Sequence, residues 1–435
     1  MARQNMFEFY AAVCREHEIQ INPYIIQVLK DTTETDRSVT LKLTGNNRLT
    51  NVQRLSDDDV RALSECLRNN HSVSAGLDVR YNNITDEGVG HLVGLLQEDG
   101  SALRSLDLMF NNIQRDGAEV LAKSLQCNST LLSLRLSGNK IGNRGAMHLA
   151  GVLQVNSTLK ELQLADCDLD TQSVIAFAIV LKSNRALVSV DISRPLLFSH
   201  QEECAVHFSE MLVVNSSLVE LHLGKMGMTN TGMERLTEGL RLNHSLRYLD
   251  LRCNRVTRDG VRLLAELLKQ NQTLEIVDLS SNRIEDEGAG YLSEAIAWPG
   301  CALREWVQHT QTNRIRTTSV LHQAVCQQQQ HQVGGSAVSG SGSDSQHYSE
   351  PPLHLGEPPG GVCLSGLQRA DRQRPPASGA DRCQRVRGGR SGVSRGALPQ
   401  FEEKLLQHKR LRYKHILHLR HVNRPADRLH PAATR

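Results

Sequence analysis

The strongest constraint on this chain is a recurrence. Aligned from Leu103, Leu131, Leu246 and Leu274, the stretches LRSLDLMFNNI, LLSLRLSGNKI, LRYLDLRCNRV and LEIVDLSSNRI follow L-x-x-L-x-L-x-x-N-x-I, with Val closing the third. The ninth position falls on Asn82, Asn111, Asn139, Cys167, Pro195, Met226, Asn254 and Asn282, at intervals of 29, 28, 28, 28, 31, 28 and 28 residues. A weaker copy, VTLKLTGNNRL, precedes them with Asn46 in the ninth place. A unit this short cannot bury its own leucines, so eight or nine such units must stack and be stable only together.

Each part of the pattern has its own physical reason. Alternation sends Leu106 and Leu108 to one face of a short strand, and neighbouring strands then pair in parallel with like over like. An Asn in the ninth place satisfies backbone groups inside the bend that follows. A ladder is therefore expected at Asn82, Asn111, Asn139, Asn254 and Asn282, with Cys167 a small, weakly donating substitute. Pro195 and Met226 cannot donate, so the middle of the ladder should be irregular. After each bend comes a helix: TRDGVRLLAELLKQN places Val261, Leu264, Ala265 and Leu268 at helical spacing. Gly88, Gly117, Gly145, Gly232, Gly260 and Gly288 recur at the helix starts, which implies close backbone approach. Asn128, Asn156, Asn215, Asn243 and Asn271 head Asn-x-Ser/Thr triplets, yet each closes a helix, where a left-handed cap suits Asn. They are read as turn residues, not sugar sites.

The pattern is the leucine-rich repeat signature. Its 28-residue form resembles the ribonuclease-inhibitor-like class, which implies an α/β horseshoe with a parallel concave sheet, convex helices and protein partners. Residues 15–304 are similar to one family within that class, through INPYIIQVL, TGNNRL, GLDVRYN, LDLMFNNI, DCDLDTQSVIAFAIVL and RPLLFSHQEE. The last two come from irregular units and discriminate most. That resemblance implies a non-enzymatic protein of nucleus, nucleolus and cytoplasm, linked to stem-cell pluripotency and to nucleophosmin and nucleolin. It supplies no binding residues to carry over.

Between the core leucines, one residue per strand should face the concavity: Asp78, Asp107, Arg135, Gln163, Asp191, His222, Asp250 and Asp278. Five of these eight are acidic, so the wall suits a basic protein partner by charge complementarity; a merely solvated face is the plainer alternative. Tyr81, Phe110 and Tyr248 are candidate anchors, since aromatic side chains concentrate interface energy. The irregular stretch from Arg194 to Glu203 is either drift or a loop standing beside the concave face.

No phosphate-binding loop, nucleophile elbow or zinc-protease motif occurs, and no cofactor or metal is expected. His91, His148, His222 and His244 lie in different units and read as surface residues. Asp166, Asp168 and Asp170 lack the Gly and the bidentate Glu of a calcium loop. A GTPase-activating role finds no placed arginine. The scattered cysteines suit a reducing compartment, and neither a secretory signal nor a long apolar run is present, so no membrane association is expected.

The expected organisation is an N-terminal helical cap over 1–37, repeats over 38–305 and a low-complexity, disordered tail over 306–435. Charge divides the same way: residues 1–305 hold 31 Lys/Arg against 39 Asp/Glu, and residues 306–435 hold 19 against 8. VRGGRSGVSRG, with Arg387, Arg390 and Arg395, has the look of an RNA-binding tail and offers the alternative of a nucleic-acid-associated protein. A shifted reading frame accounts for more. Read one base later, QQQQHQ permits Ser-Ser-Asn-Ser-Thr, matching the helix-closing QCNST, while VRGGRSGVSRG permits YVVDGVAYLAE and EEKLLQHKRLRY permits KKNYYNTNDY. The last two resemble the family's C-terminal segment. The tail is therefore read as frameshifted or alternatively spliced, with nucleic acid a partner only if it is genuine.

Overall fold

The computed structural model describes residues 6–31, 39–47, 52–68, 74–97, 103–196 and 202–307. Helices α1 (Met6–Glu16) and α2 (Pro23–Asp31) come first. Alternating elements follow: β1 (Val39–Lys42), α3 (Asp57–Arg68), β2 (Ser74–Asp78), α4 (Asp86–Leu92), α5 (Gly94–Gln97), β3 (Ser105–Asp107), α6 (Arg115–Leu125), β4 (Ser133–Arg135) and α7 (Gly142–Val152). The series continues through β5 (Glu161–Gln163), α8 (Thr171–Leu181), β6 (Ser189–Asp191), α9 (Glu202–Val214), β7 (Glu220–His222), α10 (Asn230–Leu242), β8 (Tyr248–Asp250), α11 (Arg258–Leu268), β9 (Ile276–Asp278), α12 (Glu285–Ile296) and β10 (Glu305–Val307). The ten strands form one sheet in chain order, and the pairs from Leu77 to Val277 set core residue over core residue. The fold is the expected leucine-rich repeat α/β solenoid. Strand β10 reaches Val307, two residues past the expected boundary; the reading of the basic tail falls outside the described residues from 308 onward.

Most strands stop after three residues because the backbone turns left-handed soon after. Tyr81, Phe110, Gly138, Asp166, Arg194, Lys225, Cys253 and Ser281, each just before the ninth position, have φ between 53° and 79°. The next side chain then reaches inward. Asn139 donates to the Leu108 and Leu136 carbonyls at 2.9 and 2.7 Å and accepts from the Ile113 N–H at 3.1 Å. Asn82, Asn111, Asn254 and Asn282 repeat this geometry, each buried. Cys167 reaches the Leu136 carbonyl through Sγ at 3.2 Å and the Ala165 carbonyl at 3.6 Å. Across the gap left by Pro195 and Met226, Asn254 accepts from the N–H of both Met226 and Met228, at 2.9 and 3.1 Å. Asn46 is exposed and outside the ladder. Each rung donates back to the preceding unit, and β1 is the first strand of the sheet, so Asn46 has no such rung to bond among the described residues.

The helix-closing asparagines correct an expectation. They do not adopt a left-handed conformation; Asn243 is extended, with φ −90° and ψ 132°. They act through their side chains instead. Asn156 donates to the Leu125 and Asn128 carbonyls and accepts from the N–H groups of Thr158 and Leu159, and Asn215, Asn243 and Asn271 do the same in their turns, while Asn128 donates to the Leu96 carbonyl and the Thr130 hydroxyl and accepts from Thr130 and Leu131. A further rung, Asn184, makes the same bonds as Asn156 without an Asn-x-Ser/Thr triplet. All are buried, so these side chains are unavailable to sugar transfer.

The recurrent helix-start glycines mark where one unit caps the next. Asp57 of α3 accepts from the N–H groups of Thr85 and Gly88, and Asp86 accepts from Gln114. Asn143 accepts from Ser173, and Asn230 from Thr257. A side chain at Gly88, Gly117, Gly232 or Gly260 would collide with the capping oxygen from the preceding unit.

Candidate protein-binding face

Alternation along the strands puts two rows on the face opposite the helices. One row runs through Asp78, Asp107, Arg135, Gln163, Asp191, His222, Asp250 and Asp278, which the register sets side by side. Tyr248 lies in the adjoining row, beside Glu220 and Ile276. The predicted residues are thus gathered on one face.

The open acidic wall is not what they build. Asp78, Asp107, Asp250 and Asp278 are buried. Each turns its carboxylate along its own strand to accept the N–H two residues on, as Asp191 also does: Arg80, Met109, Ser193, Arg252 and Ser280 are the donors, at 2.9–3.3 Å. Arginines cover what remains. Arg80 pairs with Asp78 at 3.0 Å and approaches Asp107, while Arg135 joins Asp107 to Glu161 at 3.9 and 2.9 Å. Arg252 grips Asp250 at 2.6 Å and reaches Asp278 at 3.8 Å. Burial, with the Asp78 charge nearby, holds the Asp107 carboxyl above its ordinary range despite the bond from Met109. Asp250 goes the other way. Burial pushes against its charge, but bonds from His222 and Arg252 prevail and lower it.

Between these two neutralised patches lies a different stretch. The next row passes through the small residues Ser137, Ala165, Ser193 and Gly224, between Arg80 on one side and Arg252 on the other. Asp191 adjoins this row and Glu220 lies one row further back, and neither makes an Arg or Lys ion pair among the described residues. His222 lies against Tyr248, ring centroids 4.9 Å apart, with Nδ1 3.4 Å from Asp250 and Nε2 3.9 Å from Glu220. His148 and His222, expected at the surface, have side chains only 11% and 18% exposed. Neighbouring helices and strands supply carboxylates, Glu119 for His148 and Asp250 for His222, that let an imidazole sit there.

Tyr81 and Phe110 lie on the rim. Their rings stack at 4.6 Å and 8°, and Phe110 rests against Gly138, where a side chain would strike its ring. Of the Arg194–Glu203 stretch, residues 197–201 lie outside the described residues. Arg194 pairs with Asp166 at 3.3 Å, and Asp170 caps α8. Among the described residues no cluster of three His, Cys, Asp or Glu is placed to hold a metal, and no helix is long and apolar enough to cross a membrane.

The fold is that of a leucine-rich repeat solenoid. The leucine-rich repeat family profile matches residues 77–92, 102–122, 127–150, 155–178, 242–265 and 270–293, passing over the units that hold Pro195 and Met226. The chain is similar to leucine-rich repeat-containing protein 34. It is 47% identical to the Mus musculus protein over 238 residues, which is 54% of this chain and 57% of that one. The Rattus norvegicus protein is 53% identical over 236 residues, 53% of this chain and 56% of the relative; the Homo sapiens protein is 50% identical over 238, 54% and 51%. The chain thus spans about half the length of the curated relatives it matches. Among solved structures, leiomodin-1 actin-binding site 2 aligns with 44% of this chain and 94% of its own at 12% identity and a TM-score of 0.27, too slight a likeness to bear on function.

Proposed function

We propose that the concave sheet holds a protein partner over β5–β7 and that the chain is a non-enzymatic scaffold. One observation carries this. The outer concave aspartates are paired with arginines, while Asp191 and Glu220 meet no Arg or Lys among the described residues. A basic side chain of a partner completes that pairing, with the Tyr248 ring, packed on His222, as the neighbouring aromatic surface. A narrower form of the proposal rests on the family resemblance alone: work in nucleus, nucleolus and cytoplasm, with a stem-cell role and with nucleophosmin and nucleolin as partners. Photo-crosslinkers at Gln163 and at Arg262, on the exposed side of α11, test the face. Adducts to a protein partner from Gln163 only, lost in Asp191→Lys/Glu220→Lys, support it; equal labelling from Arg262 rejects it.

A further inference from the structure

The five segments that return from helix to strand, 126–132, 154–160, 182–188, 213–219 and 241–247, form a surface unlike the rest of the body. They hold five Lys or Arg and no Asp or Glu, although residues 1–305 carry an excess of acid. The helix-closing asparagines bind them edge to edge: each donates to the carbonyl of the one before, at 3.0–3.2 Å. Backbone bonds from Lys160 to Leu132, Val188 to Lys160, Val219 to Val188 and Arg247 to Val219 lock the same register at the far end of each turn. Position by position, the first residues of each segment and the last are turned outward, while the Asn and the following Leu are buried.

Apolar side chains occupy many of the outward positions. Leu132, Val155, Val188, Val213, Val214 and Leu242 are 36–65% exposed, and they make up six of the ten large apolar side chains exposed among the described residues. The cations stand among them: Lys160, Lys182, Arg185, Arg241 and Arg247. Lys182 is paired with Glu210, and Arg247 with Glu275 in the next return. Arg185 spends its guanidinium on the Lys182, Asn184 and Val214 carbonyls and pairs with no acid among the described residues. Apolar and cationic side chains thus interleave at the outward positions of these five segments. Strand spacing makes five adjacent segments roughly 19 Å across, the length of about 13 helical residues.

We propose that this rim docks an acidic segment of a partner protein, about three to four helical turns long, with apolar residues on one side. Side chains as exposed as Val155 and Leu242 favour an apolar contact over a bare phosphate backbone, and the unopposed cations select acidic flanks. The site is separate from the concave face and calls for the opposite charge.

The test uses the full chain and two synthetic peptides of about 14 residues, one with Leu at helical spacing flanked by Glu, the other with Lys in place of Glu. Anisotropy titrations are expected to show binding of the Glu peptide only, weakened roughly tenfold or more in Val155→Asp/Leu242→Asp. Lys160→Glu/Arg241→Glu, which leaves every buried residue in place, should produce a similar loss. Asp191→Asn/Glu220→Gln should leave this binding unchanged, which separates its failure from failure of the concave reading. Equal affinity for both peptides, or unaltered binding by the rim variants, overturns the proposal. So does sedimentation with phosphatidylserine vesicles without peptide binding, which assigns the rim to a membrane, or self-association abolished by the same variants, which assigns it to a second copy.

Discussion

His222 is the residue whose environment departs furthest from its sequence context. Burial opposes its charge, but the bond to Asp250 and the charges of Asp191, Asp250 and Glu220 outweigh that, and its pKa is raised. A raised cation stabilises the fold fully below its unfolded pKa of about 6.5 and loses that contribution as pH rises through the folded value. Asp250 is lowered, so its contribution is present above about 3.9 and disappears as pH falls through the folded value. In Asp250→Asn, the His222 midpoint followed by NMR should move down; an unmoved midpoint would show that the pairing does not govern it. The ladder gives a second residue-scale prediction. Asn139→Ala strands buried carbonyls and an N–H and should cost about 2–4 kcal/mol, whereas Cys167→Ala, which loses one weak donor, should cost about 1 kcal/mol or less. Denaturant melts yielding equal losses would mean that the amide is not what the position requires. The ladder was legible because an amide recurs at a fixed place. Asn184 escaped because nothing marked it but position, and the buried aspartates escaped because a carboxylate bonded to its own strand leaves no trace in composition.

At the scale of elements, the periodic pattern anticipated strands, helices and bends, and the glycines at the helix starts correctly signalled close approach. What it could not show was the partner in that approach. Asp57, Asp86, Asn143 and Asn230 each sit at or near a helix start, where their composition reads as ordinary capping of their own helix, yet their bonds run to the following unit. Gly239 carries no such signal in the sequence, because a lone glycine within a helical stretch looks like tolerated weakness. It is where α10 crosses α9: a methyl there would overlap the Ser209 carbonyl oxygen and lie 2.7 Å from the Ser209 Cα. The obstacle is backbone, so no rotamer change relieves it. Gly239→Ala should destabilise by about 1–3 kcal/mol, against the slight gain that Ala normally brings inside a helix. A rise in denaturation midpoint would mean that the two helices separate at little cost.

The whole molecule is a row of units in which each is covered by its neighbours, so the ends carry a special burden. At the N-terminal end α1 and α2 take it up. Tyr10, Cys14 and Ile25 are fully buried, with Val13, Tyr24 and Leu29 nearly so, in a core continuous with Leu63 and Cys66 of α3. Polar contacts fix the docking. Asn22 is buried, donates to Asp59 at 3.2 Å and caps the start of α2 by accepting the Tyr24 N–H, and His17 meets Glu65 at 2.8 Å. Asp59, in turn, accepts from Ser56, so the cap also holds the start of α3. These side chains and the flank of α3 that they cover would meet water if the two helices were lost. Deleting residues 1–31 should therefore unfold the first units, leave the later ones partly folded, and turn a single cooperative melt into a broad one that begins at lower temperature. Hydrogen exchange would locate the loss: amides of α3 and β2 should lose protection while those of α10 and α11 keep theirs. Unchanged protection in α3 would mean that the first repeat closes its own end, and that α1 and α2 are an attachment, not a cap.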